Sequence, residues 1–513
     1  MKKQSSKTVL TTLTLDHTSR KPLYAQLYSG LRRMILSKQF LPGMRLPSIR
    51  VLVKELSISR NTVLNAFEQL IAEGYLEARH GSGTYVAQIL PDEVSLVRTQ
   101  QAAPSSRKRT RPLLSQRGAQ LAAVPQMPMP VVTSPEEKPR AFLATMPDVD
   151  LFPHAIWERL LAKCWRRASH SILLSYENRA GYLPLREAIA AYLGTARGVQ
   201  CTAEQVIIIA GSQQGIDLTA RILLDPGDGV WLEDPGYLGA YGAFTGAGAQ
   251  ICSLPVDSEG LDVEMGITRY PQARLAFVTP SHQFPLGVTM SLKRRLTLLE
   301  WASEADAWIL EDDYDSEYRY TGRPLAALQG LDQTDRVLYL GTFSKILFPG
   351  LRLGYLVVPQ DLVDPIIASL FFATQQPPAL EQMVLADFMA DGHFARHIRR
   401  SRTCYAERQA ILVEAAQRKL AGLLDIEGAA AGMHLLGWLP DNILDKEAGA
   451  HLAKHQIDTI PLSTYSFDSG QEGALLLGYT ALDEQQIREG VKKLAQALLS
   501  FPTQNLSKNF CGK

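Results

Sequence analysis

Strands that alternate with helices constrain the fold of this chain more than any other feature. Apolar runs at 206–209, 229–232, 275–278, 307–310 and 337–340 are short enough to be buried strands, and amphipathic helical spacing separates them. Such alternation builds an α/β fold around a mostly parallel sheet. A polar turn follows each run, and in open α/β sheets ligands bind outside the carboxyl ends of the strands. The five turns therefore belong to one site.

The first turn, Ala210-Gly211-Ser212-Gln213-Gln214-Gly215, opens a helix, and a small helix start with hydroxyl and amide side chains suits a phosphate. The second supplies the aromatic ring of Tyr237. The third carries Ser281, His282 and Gln283 on a loop constrained by Pro280 and Pro285. The fourth offers the carboxylates of Asp312, Asp313 and Asp315 with the phenol of Tyr314. The fifth is Ser344-Lys345, with Arg352 seven residues beyond. A lysine presented at a strand end, beside hydroxyls and an arginine, suits a Schiff-base amine next to a phosphate anchor. Pyridoxal 5'-phosphate (PLP) chemistry needs such a lysine, an anion site and an acid for the pyridine nitrogen. A divalent-metal hydrolase built on Asp312, Asp313 and Asp315 would leave the lysine and the phosphate cradle without a role, so no metal is expected.

At 513 residues the chain has room for two to four domains. It has no run of about 18 apolar residues, so no membrane span is expected. Its basic N-terminus lacks the apolar segment of a signal peptide. Five scattered cysteines fit a reducing compartment, and a cytoplasmic location is expected. The charge is uneven. Residues 1–90 hold 13 Lys and Arg against 5 Asp and Glu, a surplus of eight positive charges, while the whole chain carries +1. A basic first module on an acidic remainder points to a polyanion partner for that module alone.

That module, residues 15–88, reads as three helices and a hairpin. Leu23, Leu27, Leu31, Met34 and Ile35 have helical spacing, with Pro22 suited to the first helical position. Ser48 caps a second helix carrying Ile49, Leu52, Val53 and Leu56. Ser59 caps a third with Val63, Phe67, Leu70 and Ile71, which stops at Gly74. Residues 75–86 form two strands about a glycine-rich turn. With only Ser57-Ile58 between the last two helices, the pattern is a winged helix-turn-helix. Ser59, Arg60, Asn61, Thr62 and Asn65 lie at or near the start of its recognition helix, where side chains meet base edges and phosphates. Arg45 and Arg50 flank the second helix and suit phosphates, and the wing tip at His80-Gly81 lets backbone approach a groove. Residues 89–138 are rich in Pro, Ser, Gln and Ala and read as a flexible linker, with a basic cluster at 107–111. The large domain is set at 139–513.

The segments 22–24, 41–50, 59–63 and 81–86 resemble the GntR family of bacterial transcription regulators. The resemblance implies DNA contacts from Arg45, Arg50, Ser59, Arg60, Thr62, His80 and Gly81. The large domain resembles fold-type I aminotransferases over nearly its whole length, with a smaller C-terminal subdomain. That resemblance implies that Lys345 forms the aldimine with PLP and that Asp312 pairs with the pyridine nitrogen, with Asp313 next to it as the other candidate. It places Tyr314 on the ring hydroxyl with Gln283 or His282 nearby, and Tyr237 on the ring face. It assigns Ser212, Gln213, Ser344 and Arg352 to the phosphate, and Tyr176 to the phosphate of the partner subunit. One position departs from the pattern. Where those enzymes carry an arginine for the substrate carboxylate, the stretch 474–480 has leucine, and no arginine lies between Arg418 and Arg488. The two parts together resemble the MocR regulators. The expected function is a homodimeric, PLP-dependent regulator that binds double-stranded operator DNA and senses PLP, an amine or an amino acid. The alternatives are an active aminotransferase with an accessory DNA-binding head, and a DNA-binding protein whose large domain holds no cofactor.

Overall fold

The computed structural model describes residues 15–19, 21–79, 82–90, 114–125, 140–168, 179–322, 325–375, 377–467 and 473–502. These fall into two compact units that divide after Leu113.

The first unit is a winged helix. Its helices are α1 (Leu23–Leu36), α2 (Ile49–Leu56) and α3 (Arg60–Ala72), followed by the antiparallel pair β1 (Leu76–Arg79) and β2 (Gly83–Val86). Pro22 stands at the N-cap of α1, one position before the first helical residue. The Ser59 hydroxyl caps α3 by accepting from the Thr62 N–H at 3.1 Å. The core joins Leu27, Leu31 and Ile35 to Val63, Phe67 and Leu70, as the spacing predicts. Ile71 is the exception, because it sits on the edge of that stripe and is exposed.

Within the segment assigned to a linker, Gln116–Ala123 is a helix belonging to the second unit. It occupies the proline-free interval between Pro112 and Pro125, where the composition gives no reason for a break. Ser115 caps it, and Leu121 and Val124 lie beside Gly246 and Gly242 of the helix Leu238–Ala247. The segment is thus a docked element over these residues and not a free tether. The basic cluster at 107–111 lies outside the described residues.

The large domain centres on an eight-stranded sheet. In chain order its strands are β3 (Val206–Ile209), β4 (Gly229–Asp234), β5 (Gln250–Asp257), β6 (Gly260–Leu261), β7 (Leu275–Val278), β8 (Trp308–Asp313), β9 (Val337–Thr342) and β10 (Gly354–Val357). Their spatial order is β3-β10-β9-β8-β7-β4-β5-β6. Pairing is parallel from β5 through β4, β7 and β8 to β9, whereas β10 runs antiparallel between β9 and β3. Both faces are buried. On β3, Ile207 and Ile209 join the core under the helices Ser212–Leu223 and Val363–Thr374, while Val206 and Ile208 join the one under Leu183–Arg197 and Ala379–Ala390. This burial on both faces explains the near-continuous apolar runs.

A smaller subdomain holds a four-stranded antiparallel sheet of β11 (Asp425–Ile426), β12 (His434–Trp438), β13 (Ile460–Pro461) and β14 (Ala474–Gly478), in the order β11-β12-β14-β13. The helices His393–Lys419 and Glu484–Leu499 share its core. Residues 141–148 attach to this subdomain. The Gly478 N–H donates to the Phe142 carbonyl at 2.9 Å and the Thr480 hydroxyl to the Met146 carbonyl at 2.5 Å. Among the described residues no helix is long and apolar enough to cross a membrane.

Candidate functional site

Parallel strand direction brings four turns to one end of the sheet, and β3, also parallel to β9 through the antiparallel β10, adds a fifth. At the end of β9, Lys345 is partly buried, and its Nζ donates to the carbonyl and hydroxyl oxygens of Thr145 at 3.0 and 3.1 Å. Burial lowers the Lys345 pKa to about 8, against the opposing pull of Asp315 and Asp312. An amine so placed is in part neutral near physiological pH, as a nucleophile requires.

Strand β8 extends past the apolar run and carries Asp312 and Asp313 on its last two residues. Alternation then turns the two carboxylates to opposite faces. Asp313 accepts from Arg197 Nε at 2.8 Å, Tyr339 Oη at 2.5 Å and Ser316 Oγ at 2.9 Å. Asp312 lies within electrostatic reach of Lys345, and its Oδ1 is buried without a hydrogen-bond partner. Burial, reinforced by Asp313, Asp315 and Glu233, raises the Asp312 pKa to about 8. The three aspartates do not converge on a point where a divalent ion could sit, because Asp313 is turned to Arg197 and Asp315 to His282.

Behind this carboxylate, His282 Nδ1 lies 2.9 Å from Tyr314 Oη and 3.0 Å from Asp315 Oδ2. His282 and Asp315 are buried and Tyr314 is half-buried; removal from water pushes the Tyr314 phenol far above its usual range, with Asp315 and Asp312 adding to the effect. The ring of His282 packs on Gly432, where φ is +102° and a Cβ would come within 2.5 Å of Nε2. No side chain larger than hydrogen fits there. Gln283 is placed differently from the sequence expectation. Its Nε2 donates to Glu233 (3.2 Å) and to the carbonyls of Pro235 (2.9 Å) and Phe284 (2.7 Å), and its Oε1 accepts from the Leu286 N–H. Both ends of the amide thus brace the loop.

The phosphate cradle is formed at the start of Ser212–Leu223. Gly211 is its N-cap, with φ +96° and no capping side chain, so the first-turn N–H groups have no side-chain acceptor. A Cβ at Gly211 would press to 3.2 Å of the Arg352 guanidinium, whose Nη2 donates to the Ala210 carbonyl at 2.9 Å. Ser344 is partly buried next to Lys345. Gln213 reaches sideways to the Gly239 carbonyl (2.8 Å), with its Oε1 3.4 Å from Tyr237 Oη. Tyr237 itself lies within electrostatic reach of Asp312 and Arg352. Ring-bearing residue, acid, amine and anion site are therefore neighbours. Tyr176 lies outside the described residues.

Thr145 has no signal in the sequence, because its contact with Lys345 spans 200 positions. It takes φ +61°, a conformation rare for a β-branched residue, and the bonds of Phe142 and Met146 to the small subdomain hold it there. Arg197 was equally silent in the sequence. Two open grooves of about 500 and 460 Å³ lie on the small subdomain, and no residue of the Lys345 site lines them.

On the winged helix, Arg45, Arg50, Ser59, Arg60 and Asn61 are exposed and Thr62 is half-buried at the start of α3. Arg45 approaches Gly83, which pairs with Arg79 next to the wing tip. His80 and Gly81 lie outside the described residues.

Comparison with known proteins matches the family of bacterial regulatory proteins of the gntR type at residues 23–86, and aminotransferase class I and II at residues 149–500. The "Probable rhizopine catabolism regulatory protein MocR" of Rhizobium meliloti is 42% identical over 95% of this chain and 96% of its own length. The pyridoxine biosynthesis transcriptional regulator PdxR of Corynebacterium glutamicum is 31% identical over 92% of this chain and 95% of its own. Among solved structures, the alpha-aminoadipate aminotransferase LysN of Thermus thermophilus, complexed with N-(5'-phosphopyridoxyl)-L-leucine, is 29% identical. It superposes with a TM-score of 0.64 over 70% of this chain and 91% of that one.

Proposed function

This chain belongs to the MocR-type transcriptional regulators, a gntR-type winged helix joined to an aminotransferase class I and II domain, and from that premise we propose that it is a PLP-dependent regulator. The observation that carries the cofactor assignment is the buried, unpartnered Oδ1 of Asp312 on a side chain within electrostatic reach of the lowered-pKa amine of Lys345. An acid in such surroundings matches the ring nitrogen of a pyridine, with one proton held between the two. When bound, PLP supplies an aldehyde carbon and an electron-withdrawing ring. Lys345 is the residue of covalent attachment. Tyr314, backed by His282 and Asp315, holds the proton at the ring hydroxyl, and Tyr237 covers the ring face. Ser212, the N–H groups after Gly211, Ser344 and Arg352 hold the phosphate, with Gln213 keeping Tyr237 in place. Tyr176 of the partner copy in a homodimer completes the cradle.

The winged helix binds double-stranded operator DNA through Arg45, Arg50, Ser59, Arg60, Asn61 and Thr62, with His80 and Gly81 at the wing tip. Two heads in a homodimer read two half-sites. PLP, or an amine or amino acid joined to it, favours one state of the large domain and shifts the population of DNA-engaging molecules. Titration with PLP tests the cofactor part. Added PLP is expected to give a visible absorbance band in the wild type that survives dialysis, and none in Lys345→Ala. An unchanged band in the variant contradicts the assignment.

A further inference from the structure

The surroundings of Lys345 combine acids with an apolar wall. Asp312 and Asp315 are buried within electrostatic reach of its amine. Ala144, Leu238, Tyr465 and Leu476 form one packed cluster with Phe284 against it. This cluster borders the site directly. Ala144 precedes the Thr145 that holds the Lys345 amine, and Leu238 follows Tyr237. The Phe284 ring lies 6.1 Å from Tyr237, 5.9 Å from Tyr314 and 4.9 Å from Tyr465. Strand β14, which supplies Leu476, is buried along its length and offers only apolar side chains.

The arginines around this end are committed elsewhere. Arg197 serves Asp313, Ser281 and the Leu325 carbonyl, and Arg319 serves Ser281 and Thr289. Arg408 is held by Asp148 and the Thr480 carbonyl, and Arg352 belongs to the phosphate cradle. A carboxylate brought against the apolar wall would lose its water, find these four arginines already engaged, and lie near the acids Asp315 and Asp312. An amine without that carboxylate has one charge fewer to strip of water, and Asp315 and Asp312 favour its charged form.

We propose that the effector taken at Lys345 is a primary amine without a carboxylate on the carbon that bears the nitrogen, so that α-amino acids are selected against. The inference rests on the reading that PLP is held at Lys345. Its test uses full-length, PLP-loaded protein and matched pairs that differ only in the carboxylate: 2-phenylethylamine against L-phenylalanine, and n-propylamine against L-2-aminobutyrate. Binding is read from the change in cofactor absorbance and, independently, by calorimetry. In at least one pair the amine is expected to half-saturate at a concentration at least tenfold lower than its amino acid. Leu476→Arg should narrow that ratio at least tenfold, and Leu476→Gln by less. Equal or tighter binding of the amino acids in both pairs, or no response to either amine, overturns the proposal. The wild-type comparison decides the matter even if the arginine variant does not fold. If PLP gives no Lys345-dependent band, the cofactor reading fails with it. If the band is present and amino acids bind better, the present inference alone fails.

Discussion

The two domains display their chemistry in opposite ways. In the winged helix, the expected DNA contacts are exposed side chains on a small core that does not need them: Arg60 and Asn61 project from α3 while Val63, Phe67 and Leu70 hold it. In the large domain, the side chains that support the Lys345 site are embedded in partners. Asp313 is fixed by Arg197, His282 by Asp315 and Gly432, and Gln283 by Glu233. A reading head can therefore change its DNA preference by surface substitution, whereas the sensing site changes only together with its support.

The largest expected effect lies in that support. Arg197→Ala leaves the Asp313 carboxylate buried without its cation, which costs about 3–5 kcal/mol. Thermal or chemical denaturation should show the loss in the transition of the large domain. A change below about 1 kcal/mol would break the contrast drawn above.

Next comes Arg60→Ala, which removes a contact at the start of α3. Specific operator binding should fall by about 5- to 150-fold, the equivalent of about 1–3 kcal/mol for a base-reading side chain, with cofactor content and melting unchanged. Undiminished operator binding would remove Arg60 from the interface. Ser59→Ala is smaller, about 1 kcal/mol of stability in the winged helix through the lost cap on the Thr62 N–H.

A finer prediction concerns pH. Capture of PLP needs the neutral Lys345 amine, so its rate should rise from pH 7 to 9 with a midpoint near pH 8 and level off above about pH 9. Asp315 and Asp312 both hold that pKa up, Asp315 the more. Asp315→Asn should therefore move the midpoint to lower pH, and Asp312→Asn should move it less. Stopped-flow absorbance distinguishes these outcomes, and an upward shift would contradict the geometry.

How much of this was legible in the sequence follows from distance along the chain. The amine, the acids and the cradle sit at or just past the ends of apolar strands, so Lys345, Asp312 and Ser212 could be read locally. The choice between Asp312 and Asp313 depends on β8 running on to residue 313, which the apolar run at 307–310 does not reveal. Gln283 has the side chain of a ligand-binding residue, yet the folded loop uses it as a brace. Thr145 reaches Lys345 only because residues 141–148 are bound to the small subdomain. The helix Gln116–Ala123 was hidden by the prolines on either side, which suggest irregular chain although they only bound it. Contacts that require tertiary structure leave no local pattern.

The central claim is that occupancy at Lys345 governs DNA engagement by the winged helix. Operator affinity of the full-length protein, measured by fluorescence anisotropy on duplexes selected from random DNA, tests it most directly. With and without PLP, and with and without an amine, the wild type should change its affinity several-fold, while Lys345→Ala should bind the operator with one affinity throughout. The same ligand response in both proteins would contradict the account.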